Sequence, residues 1–407
     1  MSSAAGPRGP AASVDRDLIV RHLEALVRIP SVNPDLVPGA SGETEIARYL
    51  ALACEALGMR ANIEMVAPGR PNVIAVLPGA DPERGRSLMI NGHTDTVGAA
   101  GMEAPFEPRR EGDRLYGRGS NDMKAGLAAM LAAVAAVRAS GVRPLGDVML
   151  TFVADEEYLS VGTEAVAKAY RADAAIITEP SRLCLRVTHK GFVWARIRTE
   201  GRAAHGSDYQ AGIDAILHMG RVLAAIDRLE KDVFPRREYP LLGRASVHAA
   251  LIEGGEGLST YPPSCTLQIE RRTLPDETDA TVRAELEEIL TQLSRQDSSF
   301  RGTVELIGAR GPLSVDENAE IVRVVDAAAE AILGAPPEHV GGAGWTDAAL
   351  LAAVGIPTVI YGPSGAGGHS AIEYVEIPSI VDCAKVLAHT IATFCGTAGE
   401  TRQVGPP

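Results

Sequence analysis

Between Asp15 and Arg28 apolar residues recur at helical spacing, and a second helix of this kind runs from Ser41 or Glu43 to Gly58, where glycine stops it. Short β-rich runs then alternate with helical ones. Stretches 72–77, 87–91, 147–154 and 174–178 are bounded by glycine, proline or charge and read as strands, and a helix over 122–139 separates two of them. The alternation predicts an α/β architecture, a central mostly parallel sheet flanked by helices.

After His189-Lys190-Gly191 the rhythm changes. Strand 192–199, a helix near 212–230, strands 245–252 and 264–271, helix 279–295 and strand 303–308 follow in βαββαβ order, which describes a ferredoxin-like two-layer domain. Helix 317–333, a strand near 357–361 and helix 379–395 restore the α/β rhythm. The expected organisation is therefore a catalytic domain in two segments, 1–190 and 310–407, interrupted by an inserted domain over 191–309. Residues 1–13, small and Gly/Pro-containing, read as a disordered tail rather than a secretory signal.

Composition narrows the partners. A chain of 407 residues, 46% hydrophobic, has apolar material for more than one core. Its net charge of −13 argues against a nucleic-acid footprint. The five cysteines are scattered, form no CxxC pair and are odd in number, which suits reduced residues in a cytoplasmic protein. The longest apolar run, 126–137, is too short to span a bilayer and reads as a buried helix, so no membrane partner is expected.

Against this background five short motifs stand out: NGHTDTV at 91–97, GRGSNDMKAG at 117–126, ADEE at 154–157, ITEPS at 177–181 and GGHS at 367–370. They supply His93, Asp122, Glu157, Glu179 and His369, a donor set of imidazole and carboxylate without thiolate, suited to zinc, cobalt or manganese. Two dications would be balanced by three carboxylates and one bridging hydroxide, with neutral imidazoles completing the shells. Five ligands shared by two ions leave positions for water and substrate, as a catalytic site requires.

Each motif also has an ordinary reading: a satisfied His–Asp pair, an N-cap at Asp122, an acidic surface loop at 155–157, a glycine-rich loop at 362–370. Their joint occurrence in one α/β half favours the metal reading. His93 and Asp95, two apart on a strand end, share a face, so the Asp95 carboxylate is expected to accept the imidazole N–H not used for metal. Asp122 is the candidate bridge between the ions, and Glu179 is assigned to the ion of His93. Of the adjacent Glu156 and Glu157, whose side chains diverge, Glu157 is expected to bind metal and Glu156 to take the proton of the attacking water.

With these residues in place, the stretch from about Asp15 to Cys395 resembles the M20 family of metallopeptidases and amidohydrolases, the group that includes acetylornithine deacetylase. The resemblance implies His93 and Glu179 on one metal, His369 and Glu157 on the other, bridging Asp122, orienting Asp95 and general base Glu156. It also implies that the inserted domain is a lid and dimerisation domain of a homodimer. His205 in GRAAHGS looks like the lid histidine that stabilises an oxyanion, and Arg272 in IERRTLP like the arginine for a substrate carboxylate. Arg271 stays open as its rival, because only strand alternation decides which of the two faces the site. Gly368 is carried over as a substrate-binding position. The chain departs from the family at Ser259, where many relatives have Asn, which bears on substrate pose, and at Ala125, more usually Gly.

The expected activity is hydrolysis of the amide bond of an N-acyl-amino acid at a two-zinc centre. An exopeptidase, dipeptidase or desuccinylase is the alternative within the family. A catalytically silent module that binds a small ligand or a partner is the alternative from another class, and it would predict gaps among the ligands.

Overall fold

The carboxylate of Asp15 accepts hydrogen bonds from the N–H groups of Asp17 and Leu18 and so caps helix α1 (Arg16–Arg28), which buries Ile19, Leu23, Leu26 and Val27. In the computed structural model, which describes residues 9–398, α1 is followed by α2 (Thr44–Ala56), strands β1 (Arg60–Ala67), β2 (Arg70–Leu77) and β3 (Leu88–His93), and the hairpin β4 (Arg109–Glu111) and β5 (Arg114–Tyr116). Next come α3 (Ala125–Ala139), β6 (Val148–Val153), α4 (Val161–Ala169), β7 (Ala174–Ile177) and β8 (Leu185–His189). The middle of the chain forms β9 (Gly191–Glu200), α5 (Ala215–Arg228), β10 (Ser246–Gly254), β11 (Ser264–Thr273), α6 (Asp279–Gln296), β12 (Arg301–Arg310) and β13 (Leu313–Ser314). The described chain closes with α7 (Glu320–Leu333), β14 (His339–Gly342), α8 (Ala348–Ala353), β15 (Thr358–Ile360), β16 (Gly365–Ala366), β17 (Tyr374–Glu376) and α9 (Ile377–Cys395).

Two units result. The first comprises the chain up to Val187, Val315–Val340 and the chain from Leu350. Its large sheet runs β1-β2-β6-β3-β7-β15-β8. The central strands β6, β3, β7 and β15 are parallel, and β1, β2 and β8 join antiparallel. β3 and β7 are buried along their whole length, as strands covered on both faces must be. Because β3, β6 and β7 run the same way, the segments that leave their C-terminal ends, at His93, Asp155 and Thr178, emerge along one edge of the sheet. The Ala-rich α3 buries most of its residues, which is why a helix with so little amphipathic contrast is stable here. One helix among the described residues, α9, is long and apolar enough to cross a membrane, and it packs against α3 and α7.

The second unit comprises Thr188–Ser314 and Gly341–Ala349. Its sheet is antiparallel in the order β10-β11-β9-β12. Val193, Ala195 and Ile197 of β9 and Cys265, Leu267 and Ile269 of β11 share a core with Met219 and Val222 of α5 and Leu286 and Leu290 of α6. Its boundaries lie a few residues outside 191–309, and it takes in a stretch, 341–349, that local patterning leaves with the other unit.

Three expectations change. The tail expected over 1–13 is ordered from residue 9: Pro10–Ser13 form a 3-10 turn with Pro10 and Ala11 buried, and residues 1–8 lie outside the described residues. The helix expected to open at Asp122 begins at Ala125. Asp122, at φ −115° and ψ 95°, lies in a non-helical turn and is no N-cap.

Candidate metal centre

The edge of the first unit's sheet gathers two groups of donors that share one residue: His93, Asp122 and Glu179, and Asp122, Glu157 and His369. His93 closes β3 and is buried. Its Nε2 lies 3.1 Å from Asp122 Oδ1 and 3.4 Å from Glu179 Oε1. His369 stands in a loop at φ +63°, half-exposed. Its Nε2 lies 2.9 Å from Glu157 Oε2 and 3.5 Å from Asp122 Oδ2. Asp122 thus turns one oxygen toward each imidazole.

This arrangement passes a simple test for two divalent cations. Donors bound to one ion at about 2.0–2.2 Å in tetrahedral geometry lie roughly 3.4 Å from each other. The four separations, 2.9 to 3.5 Å, bracket that value. The charges agree. Burial alone would raise the Asp122 pKa, but the His369 and His93 rings outweigh it and hold the carboxyl well below the usual range. Reciprocally, hydrogen bonds to Asp122 and Glu157 push His369 up to about 10. His93 is raised well above its ordinary value, against the opposing effect of its burial, by Glu179, Asp122 and Asp95. The cluster draws positive charge to the imidazole nitrogens where a metal would sit.

A web of hydrogen bonds aims these donors. His93 Nδ1 lies 2.9 Å from the main-chain oxygen of Asp95 and 3.5 Å from its carboxylate. The expected pairing with the Asp95 side chain is therefore mainly a pairing with its backbone carbonyl, and either partner leaves Nε2 for metal. The Asp95 carboxylate acts chiefly elsewhere: Oδ1 accepts from the N–H of Glu156 at 3.1 Å and Oδ2 from the N–H of Glu157 at 3.2 Å. It holds the segment that carries both glutamates.

Sequence reasoning missed the next layer. Asn33 Nδ2 donates to Asp95 Oδ2 at 2.8 Å and to Asp155 Oδ1 at 3.0 Å. Arg70, buried on β2, donates to Asp155 Oδ1 at 2.8 Å and Glu43 Oε1 at 2.7 Å and also pairs with Asp35. Asp155 adopts φ +73°, an uncommon conformation for a non-glycine residue, at the turn that delivers Glu156 and Glu157. No local signal marks Asn33 or Arg70.

Glu156 is half-buried beside these donors and contributes to the electrostatic pull on His93. Gly368 lies against the cluster: a Cβ there would come within 3.1 Å of Asp122 Oδ2. His205, Ser259 and Arg272 belong to the second unit. His205 is exposed, its Nδ1 2.8 Å from Ser207 Oγ, and it forms an isolated β-bridge with Thr260, while the Ser259 carbonyl accepts from Gly206 N–H at 2.7 Å. On β11 the alternation separates the two arginines. Arg271 is buried against Glu277 and Glu285, whereas Arg272 is partly exposed and pairs with Glu270.

Comparisons with known proteins agree with the class that fold and donors define. A model of peptidase family M20/M25/M40 matches residues 89–393. The chain is 30% identical over 394 residues to N-formyl-4-amino-5-aminomethyl-2-methylpyrimidine deformylase of Bacillus subtilis, covering 89% of this chain and 92% of that protein. It is 30% identical over 335 residues to acetylornithine deacetylase of Myxococcus xanthus, covering 80% of this chain and 84% of that protein. Among solved structures, an aminopeptidase of Bacillus cereus is similar with a TM-score of 0.77 at 19% identity, over 94% of this chain and 100% of that one. A dinuclear metal-binding peptidase of the M20 family from Bacillus subtilis is similar with a TM-score of 0.72 at 15% identity, over 93% and 98%. At such identities the structural likeness speaks for the fold alone. The chain belongs to peptidase family M20/M25/M40 and is a hydrolase of that family.

Proposed function

We propose that the protein hydrolyses the amide bond of an N-acyl-amino acid or a closely related N-acyl amine. The observation that carries the reading is the sharing of Asp122 between two imidazole–carboxylate groups, with Glu156 on the neighbouring turn. Two divalent cations held by His93, Asp122 and Glu179 and by Asp122, Glu157 and His369 would supply Lewis acidity and a water acidic enough to react near neutral pH; zinc suits the donors best, with cobalt or manganese as alternatives. Glu156 takes the proton of the attacking water and delivers it to the leaving nitrogen. Asp95 holds His93 and the main chain of Glu156 and Glu157 in register. Gly368 keeps space open beside Asp122.

The second unit is assigned the role of lid and dimerisation domain, with His205 stabilising the oxyanion and Arg272 taking the substrate carboxylate. Arg272 is preferred to Arg271 because the latter is consumed by buried ion pairs. Ser259, shorter than the Asn of many relatives, alters the substrate pose. A homodimer is supported by β10, an edge strand whose Leu251 and Ile252 are exposed. The five unpaired cysteines, four of them buried, suit a cytoplasmic setting.

The names of the two curated relatives, a deformylase and a deacetylase, favour a small acyl group. Cleavage of a dipeptide or of an N-succinyl group is the second reading, in keeping with the peptidase family whose model the chain matches. A silent binding module would be expected to lack ligands, and the set is complete. The test is a panel of N-formyl, N-acetyl and N-succinyl amino acids and dipeptides with zinc, cobalt or manganese. Turnover is expected on the N-acyl substrates. Turnover on dipeptides alone transfers the protein to the second reading, and none on any substrate refutes the enzyme assignment.

A further inference from the structure

One buried carboxylate outside the ligand set has all its acceptor capacity directed at the loop that carries Asp122. The Glu373 side chain is completely buried where the chain enters β17. Its Oε1 accepts from the N–H groups of Asn121 and Asp122, both at 2.9 Å. Its Oε2 accepts from the N–H of Gly119 at 3.0 Å and from Arg118 Nη1 at 2.6 Å. The other arm of the same guanidinium, Nη2, donates to the carbonyl of Ser370 at 2.9 Å. Arg118, 1% exposed, therefore spans two segments, the turn that ends in Asp122 and the loop that presents His369.

We infer that Glu373 and Arg118 are positioning residues that fix Asp122 and His369 relative to each other and so preform the Asp122–Glu157–His369 cation site. Burying an ion pair costs desolvation free energy that its attraction offsets only when the remaining lone pairs and protons are well used. Here the N–H groups of Gly119, Asn121 and Asp122 fill the lone pairs of Glu373 and the Ser370 carbonyl takes one arm of Arg118, whose Nε alone finds no partner among the described residues; Asp122 is a proposed ligand, and Asn121 and Ser370 adjoin proposed ligands. The turn at 120–124 is held by little helical bonding of its own: Lys124 N–H reaches back to the Gly119 carbonyl, but Asp122 and Met123 depart from helical dihedrals, and Asp122 has its own N–H tied to Glu373. His369 likewise sits at positive φ in a loop. Without the Glu373–Arg118 link both segments would have to be ordered when metal binds, which weakens binding. The planar fork of arginine is needed, because lysine has no pair of fixed arms to reach a carboxylate and a carbonyl at once.

The inference rests on Asp122 and His369 being ligands, and the experiment separates the two ideas. Metal-depleted full-length protein is titrated with zinc ions by calorimetry as wild type, Arg118→Lys, His369→Ala and the double variant. Wild type should show two binding events, and His369→Ala should remove one of them. Arg118→Lys should weaken that same event about 10–100-fold. It should leave the remaining event within about threefold and add nothing in the His369→Ala background, since the two residues act through one site. Two wild-type events that Arg118→Lys leaves unchanged, or an equal loss with and without His369, overturn the positioning role while sparing the metal reading. A wild type that binds no zinc, or a His369→Ala protein that keeps both events, sinks the metal reading first. Should Arg118→Lys fail to fold, Glu373→Gln, which keeps one acceptor and the volume, is read by the same criteria, with weakening of the His369-dependent event expected.

Discussion

At the scale of single residues the centre is a problem in charge. Asp122, Glu157 and Glu179 converge on two imidazoles, and His369 responds by rising to about 10 through its hydrogen bonds to Asp122 and Glu157. A base whose pKa is raised keeps its proton as pH climbs toward the raised value, so near neutrality the metal-free ring is protonated and an incoming cation must displace that proton. Zinc affinity should therefore increase with pH, about tenfold per unit for each proton displaced. Calorimetry in buffers of differing ionisation heat should register the release, and binding indifferent to pH would contradict it. Glu156 carries a separate prediction. Glu156→Ala should lower turnover about 10²–10⁴-fold with bound metal unchanged, measured by kinetics beside elemental analysis. Activity that survives the change would place the base elsewhere. The residue types of the site were legible only jointly, because each motif alone has an ordinary structural reading and it is their occurrence together in one α/β half that points to metal. Their supports were not: Asn33, Arg70 and Glu373 act through contacts with sequence-distant partners, and nothing beside them in the chain announces a role.

At the scale of elements, strands legible from apolar runs bounded by turn residues ended near their expected limits, and those ends are where the ligands emerge. β1 was missed because its buried face is weak, with charged residues at Arg60 and Glu64. The hairpin β4–β5 escaped because three-residue strands offer no period, although Gly112-Asp113 between short runs was an available signal. The start of α3 was displaced because Asp122 looks like a cap in sequence while the chain uses it in a turn held by Glu373. Gly126 shows how closely α3 approaches the sheet. A Cβ there would come within 2.2 Å of the Thr178 carbonyl, next to Glu179. Gly126→Ala should destabilise the protein by about 1–3 kcal/mol as overpacking against main chain. Thermal unfolding measures this, and an unchanged midpoint would mean that the helix can retreat without cost.

At the scale of the whole molecule, the exposed edge of the second unit bears on assembly. Among the described residues β10 has no strand on its outer side, and it exposes Leu251 and Ile252, together with Leu217 on α5. Natural sheets guard such edges, and pairing with a second copy is one way to do so. Ile252→Glu should convert a dimer into monomers at micromolar concentration, as read by sedimentation equilibrium. A wild type that sediments as a monomer would remove the dimerisation role assigned to the second unit.

The linear chain determined the kinds of element, their order and the chemistry of the donors. Periodicity, turn residues and side-chain type are set by local backbone geometry and by the atoms each residue carries. The tertiary structure alone decided that Asp122 lends one oxygen to each imidazole, that the Asp95 carboxylate grips the Glu156–Glu157 main chain, and that Glu373 with Arg118 ties two distant loops together. Those facts depend on how far apart in space the packed sheet and helices leave side chains that are far apart in sequence, and no local pattern encodes such a distance.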